Sequence, residues 1–267
     1  MTQTTVSVDD IKLVCEVRGD GIPLLLVHGF PLDPQMWNRQ IAELSDKFRV
    51  IAPDLRGFGQ SDVSAGTLTM SRFADDLAEL LDQLGVHKPV AFCGLSMGGY
   101  VAWQFWRRHA SRLSHLVLCD TRVAADSPET ARQRLEMADR VIEEGTGFLV
   151  ETMLPKLFSD QTRTKNPQVI SATANVIRSS PAEGVAAALR GMAQRPDATD
   201  WLPQIDLPSL VVCGQEDIIS PVPEMREFAK TMPQADFVVV PVSGHMSPLE
   251  APPVVNRANR AFFAGCP

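Results

Sequence analysis

Three side chains far apart in the chain have the types that nucleophilic catalysis needs. Ser96 lies in GLSMGG (94–99), between the apolar run PVAFCG and the amphipathic stretch MGGYVAWQFWRR. Glycines two places before and two places after the serine permit a crowded strand-to-helix turn that throws the hydroxyl outward. The same turn aims the Met97 amide, at a helix start, toward the space where an oxyanion would form. A serine hydroxyl needs a base near neutral pH, and imidazole is the side chain whose ordinary pKa allows that. His245, in VPVSGHMSPLEAP directly after the last apolar run, is placed to serve. Asp217, after LVVCGQED, can accept the other ring hydrogen, fix the tautomer and stabilise the imidazolium. His28-Gly29-Phe30 closes the run PLLLVH and sets the Phe30 amide where it could meet the same oxyanion. The chemistry predicted is acyl transfer to Ser96 and then to water.

Such a set works only if one scaffold gathers it. The opening segments TTVSV and IKLVCEV, separated by Asp9-Asp10, predict an antiparallel hairpin at a sheet edge. From there short apolar runs alternate with amphipathic stretches: 23–28 then 34–47, 49–54 then 69–84, 89–94 then 97–109, and 113–120. The alternation returns with 207–214, a helix over 222–231, 235–241, and a last helix over 252–263. Continuous apolar strands alternating with helices describe βαβ units, so the class predicted is α/β, with a mostly parallel eight-stranded sheet flanked by helices. Ligands gather at the carboxyl ends of parallel strands, and the residues singled out stand after four such runs. Between Asp120 and Leu207 no strand is visible. Ser127-Pro128, Asn166-Pro167 and Ser180-Pro181 each offer a side-chain cap followed by proline at the first helical position. Residues 121–203 therefore read as an all-helical cap inserted into a core domain of 1–120 and 204–267.

Length, charge and thiols narrow the function classes. At 267 residues the chain suits one catalytic domain. A formal charge of -7 with no run of Lys or Arg argues against nucleic acid. The apolar runs are too short to cross a bilayer, which predicts no membrane insertion. The polar opening MTQTTVSVDD lacks the order of a secretory signal and predicts a cytoplasmic protein. Cys15, Cys93, Cys119, Cys213 and Cys266 have no metal-ligand spacing and read as free thiols, four of them buried. With neither a dinucleotide fingerprint nor a HExxH, no metal and no other cofactor is expected.

Blander readings compete at several positions. His28 reads as a scaffold residue bonded to nearby backbone, and His87, His109 and His115 as surface or capping residues. Glu216 and Asp120 are rival acids to Asp217; Asp120 ends the strand before the helical segment. DLRGFGQS, with two glycines and a serine, suits a structural turn. Glu250 reads as support for the entry to the final helix. Leu95, Phe148, Met153, Leu154, Phe158, Met192, Trp201, Ile218 and Met246, with Phe30, are candidates to line a substrate pocket, although core packing explains them equally well.

HGFPLDPQMW (28–37), DLRGFGQSD (54–62), GLSMGG, GQEDIISP (214–221) and SGHMSPLEAP (243–252), in this order and spacing, resemble the α/β-hydrolase superfamily over nearly the whole chain outside 121–203. Within it the sequence is most similar to small bacterial carboxylesterases and 3-oxoadipate enol-lactonase-like proteins. The resemblance implies Ser96 as nucleophile, Asp217 rather than Glu216 as acid, His245 as base, and Phe30 and Met97 amides as oxyanion donors. It implies a small-molecule ester or lactone as substrate. Carbon–carbon hydrolysis, peroxyacid formation as in haloperoxidase-like relatives, and a slow-turnover ligand receptor share the same motifs.

Overall fold

The computed structural model of the chain describes residues 2–264 and leaves Cys266 outside them. Eight strands form one sheet: β1 (Thr2–Val8), β2 (Ile11–Arg18), β3 (Ile22–Val27), β4 (Phe48–Pro53), β5 (Val90–Leu95), β6 (Leu113–Cys119), β7 (Ser209–Gly214) and β8 (Ala235–Val240). Their spatial order is β1-β2-β4-β3-β5-β6-β7-β8. The β1–β2 and β2–β4 pairs are antiparallel and every later pair is parallel. The edge hairpin turns at Asp9-Asp10, with Val8 opposite Ile11 and Asp9 at φ 49°. Aspartate is among the few residues that tolerate that backbone.

Burial follows position in the sheet. Every residue of β5 and β7 is buried, because helices cover both faces of a parallel sheet, whereas β8, at the edge, is mostly half-exposed. The helices are α1 (Asn38–Leu44), α2 (Met70–Gln83), α3 (Met97–His109), α4 (Pro128–Glu144), α5 (Gly147–Leu157), α6 (Asp160–Lys165), α7 (Pro167–Ser179), α8 (Ala182–Ala193), α9 (Val222–Thr231), α10 (Ser247–Glu250) and α11 (Pro252–Phe263). α2 shows how they dock: Thr69 caps its start by accepting from the Arg72 amide, and Phe73, Leu77, Leu80 and Leu81 face the core. The segment predicted as one helix over 34–47 divides into a 3-10 turn, Pro34–Trp37, and α1. Asp33 forces the division by accepting from the Gln35 amide at 2.9 Å.

Helices α4 to α8 stand between β6 and β7. Of the three predicted caps only Ser127 bonds as expected, accepting from the Thr130 amide at 3.1 Å. Asn166 makes no capping bond, and Ser180 instead directs its hydroxyl at the Val176 and Pro31 carbonyls. α8 accordingly starts one residue later than the serine-proline pattern suggests. α5 and α6 carry no proline at the start and escaped the pattern. α5 is apolar without a clean helical face, while Ser159 caps α6 through the Thr162 amide. α8 is anchored to the core where the Leu68 amide donates to the Ala187 carbonyl at 3.0 Å.

Cys15, Cys93, Cys119 and Cys213 are free and buried. Among the described residues no helix is long and apolar enough to cross a membrane.

Candidate active site

Ser96 occupies the turn between β5 and α3 with φ 53° and ψ -110°, a left-handed backbone that is strained for any residue with a side chain. Close approach makes the turn possible. A Cβ on Gly94 would lie 2.4 Å from the Gly98 carbonyl oxygen, and one on Gly98 would lie 2.3 Å from that of Val27 at the end of β3. The Ser96 amide donates to Cys119 at 3.0 Å, and Thr121 Oγ1 donates to the Ser96 carbonyl at 2.7 Å, so the turn is braced from β6. The Ser96 hydroxyl is partly exposed and makes no hydrogen bond among the described residues.

Met97 is the first residue of α3, so its amide has no acceptor one turn back. Neither the Phe30 nor the Met97 amide takes part in any loop or turn hydrogen bond among the described residues. Gly29, beside Phe30, lies against the elbow: a Cβ there would stand 3.4 Å from Ser96 Cβ. Two undirected N–H groups therefore flank the serine.

His245 and Asp217 meet after β8 and β7. His245 Nδ1 lies 2.8 Å from Asp217 Oδ2, with the ring 2% exposed and Asp217 5%. Asp217 Oδ1 accepts from the Ile219 and Ser220 amides, and Oδ2 also accepts from Ser220 Oγ. Four donors on one carboxylate leave little freedom to rotate. Burial opposes the charge on Asp217, yet the adjacent imidazole and the hydrogen bonds from His245 and Ser220 hold its pKa below the ordinary value. Burial also opposes protonation of His245, but the charge and hydrogen bond of Asp217, with Asp120 and Glu250 behind, raise its pKa above 6.5. A general base works deprotonated, so a base that keeps its proton longer moves the active range upward. Ester turnover followed by pH-stat should show kcat/KM rising through a limb centred above pH 6.5, and Asp217→Asn should move that limb toward lower pH.

Asp120 enters the same region from β6 without touching the imidazole. Its Oδ1 accepts from the Gly214 amide at 2.7 Å, and Oδ2 contacts the Ser247 amide and hydroxyl. It is fully buried, and burial, followed by the nearby charge of Asp217, raises its pKa well above the carboxylate range. Cys213 stands with these two aspartates, but every carboxylate oxygen in the group already accepts from the protein. Glu216 is exposed and takes no part.

Glu250 is placed differently from its sequence reading. It closes α10, and α11 starts at Ala251 with no side-chain cap. Its Oε1 accepts from the Gly244 amide at 2.8 Å and its Oε2 from the Ser159 amide at 2.9 Å and hydroxyl at 2.7 Å. The carboxylate thus ties the histidine loop to the turn between α5 and α6. Removing it leaves three donors without an acceptor. Glu250→Ala should cost about 1–3 kcal/mol in thermal unfolding and lower kcat roughly tenfold through misplacement of His245.

His28 is buried and neutral: Nδ1 donates to the Gly29 carbonyl at 2.9 Å, Nε2 accepts from the Leu55 amide at 3.1 Å, and burial lowers its pKa to about 4. DLRGFGQSD forms a braced turn in which the buried Arg56 binds Asp76 with two contacts of 2.8 Å. His87 is exposed near Asp82, His109 bonds Asp75 at 2.8 Å, and His115 packs on Phe262 and Phe263.

A cavity of about 210 Å³ opens beside the site between the core and α4, α5 and α8. Of the predicted lining residues it contains Phe30 and Met153; Met137, Leu157, Leu189 and Ile219 complete its apolar wall. The others lie elsewhere for identifiable reasons. The turn held by Asp217 leaves Ile218 66% exposed and puts Ile219 on the cavity wall. Trp201 packs on Trp106 of α3, and Phe148 lies under the Arg140 guanidinium. Leu95 is buried beneath Gly29, Phe158 is buried beside Gly244, and Met192 is buried with its sulfur toward Arg134. Met246 is buried with its amide on the Leu157 carbonyl, and the Leu154 carbonyl accepts from the Phe158 amide at the end of α5.

The family model for the alpha/beta hydrolase fold matches residues 22–252, and the chain belongs to that family. It is 30% identical over 220 residues to 3-oxoadipate enol-lactonase 1 of Acinetobacter baylyi, covering 82% of this chain and 80% of that protein. A thermophilic esterase from Thermogutta terrifontis, solved with malate bound, superposes with a TM-score of 0.96 at 48% identity, covering 99% of this chain and 98% of that one. The enol-lactonase from Burkholderia xenovorans gives 0.91 at 28% identity, covering 98% of this chain and all of that one.

Proposed function

We propose that the chain is a serine hydrolase acting on small carboxylic esters or lactones through an acyl-enzyme. The observation that carries the reading is the 2.8 Å bond from a buried His245 to a fully bonded Asp217, set beside a strained serine turn with two undirected amides. The kinship with an esterase and two enol-lactonases supports the bond type. His245 Nε2 takes the Ser96 proton as Oγ attacks the carbonyl carbon, and the Phe30 and Met97 amides receive the developing oxyanion. Collapse of the tetrahedral intermediate expels the alcohol, which leaves with the proton held on His245. Water, deprotonated by the same ring, then attacks the acyl-enzyme and the acid departs. The contact between Ser96 Oγ and His245 tightens when substrate is bound, as is common for catalytic hydrogen bonds. Helices α4 to α8, within 121–203, act as the cap over this site.

The test couples labelling to turnover. A fluorophosphonate should modify Ser96 stoichiometrically, and 4-nitrophenyl acetate and an enol-lactone should both be hydrolysed. Labelling elsewhere would remove the nucleophile. Faster turnover of a vinylogous 1,5-diketone, or of peroxide with acetate, would replace ester hydrolysis by carbon–carbon cleavage or peroxyacid formation. Slow turnover with tight ligand binding would make the chain a receptor.

A further inference from the structure

The cavity beside Phe30 has a charge that the chain as a whole does not. The protein carries -7, yet the only charged side chains lining this cavity are Arg134 of α4 and Lys156 of α5. Lys156 is exposed at the rim, and its ammonium has no hydrogen bond or ion pair among the described residues. Arg134 is not neutralised one for one. Its partner Asp126 is contacted by Arg134 at 2.5 Å and by the buried Arg195 at 2.6 Å, so two guanidiniums share one carboxylate. Arg195 is fixed in place over the Tyr100 ring at 4.2 Å. Three cations against one carboxylate leave a net positive rim on an apolar pocket. The adjacent Glu129 does not cancel it, because that carboxylate is bound by Arg132.

The cavity also touches each part of the candidate site. Phe30 contributes its side chain here and its amide there, Ile219 donates to Asp217, and the Leu157 carbonyl accepts from the amide next to His245. An apolar wall with a few convergent polar groups is the usual make-up of a ligand subsite.

We propose that this cavity selects substrates bearing a carboxylate distal to the scissile carbonyl, with the chain of the substrate on the apolar wall and its carboxylate at Lys156 and Arg134. This inference rests on the ester-hydrolase reading. Guanidinium and ammonium differ in how they bind, so Arg134 offers a planar pair of donors while Lys156 acts as a point charge.

The test compares substrates of one chain length. Mono-4-nitrophenyl glutarate and 4-nitrophenyl valerate differ in having a carboxylate where the other has a methyl, and the butyrate ester of glycolic acid moves the carboxylate to the alcohol side. The glutarate-to-valerate ratio of kcat/KM should fall roughly three- to tenfold in Lys156→Gln, the size expected of a partly solvated charge pair, and fall similarly in wild type at high salt. The glycolate ester, compared with ethyl butyrate, shows whether the alcohol side uses the same cations; sensitivity to Lys156→Gln on either side supports the proposal. Ratios unchanged within twofold by both the substitution and salt overturn it, while valerate hydrolysis leaves the ester-hydrolase reading standing. Failure of every ester removes that reading and this inference with it.

Discussion

Ser96→Ala is expected to lower kcat on the order of 10⁴ to 10⁶-fold, with no measurable change in thermal unfolding. The two halves of that expectation have separate causes. Oγ is the only atom in the elbow able to form the acyl bond, so its loss leaves only binding and the two amides to speed attack by water. Stability is untouched because the hydroxyl makes no hydrogen bond among the described residues, and the backbone at φ 53° is equally strained with serine or alanine. Burst kinetics with 4-nitrophenyl acetate count active sites and so expose traces of wild-type enzyme. Retention of most turnover in a verified variant would sink the nucleophile assignment. A variant that loses activity together with its fold would show that the hydroxyl has a structural role the hydrogen bonding does not reveal.

The sheet was legible because its strands are short, apolar and regularly spaced, and because a parallel sheet hides both faces. The boundaries moved by one or two residues: the run at 207–214 begins pairing at Ser209, after Leu207-Pro208. What the sequence carries poorly is contact between distant segments. Ser180 looks like a cap until the Pro31 carbonyl comes within 3.1 Å of its hydroxyl, 149 residues away in the chain. Glu250 looks like helix punctuation until Gly244 and Ser159 converge on it. The pocket shows the same limit. Periodicity marks which residues are apolar, but whether Ile218 or Ile219 faces the substrate depends on which amides Asp217 captures. The motifs carry their own local geometry, which is why the elbow around Ser96 could be described before any coordinates, whereas Arg134 and Lys156 belong to no motif and gain meaning only from the wall they share.

Two buried aspartates near one imidazole invite the question of which serves it, and paired isosteric substitutions answer it. Asp217→Asn should reduce kcat by about 10⁴-fold, because an amide presented to Nδ1 favours the wrong tautomer and offers no charge to the imidazolium. Asp120→Asn should stay within a few-fold of wild type. Burial and the charge of Asp217 keep the Asp120 carboxyl protonated at neutral pH, so an amide reproduces what it already does. The amide oxygen can accept from Gly214 and the amide nitrogen can donate to Ser247 Oγ, the two contacts that fix the ends of β6 and β7 and the histidine loop. The converse change separates charge from geometry. Asp120→Ala leaves the Gly214 amide without an acceptor and should cost about 1–3 kcal/mol of stability, read by thermal unfolding, even where Asp120→Asn costs nothing. A large loss of kcat in Asp120→Asn with the fold intact would mean that an ionised Asp120 helps hold the proton on His245, and the acid would then be a shared pair rather than Asp217 alone.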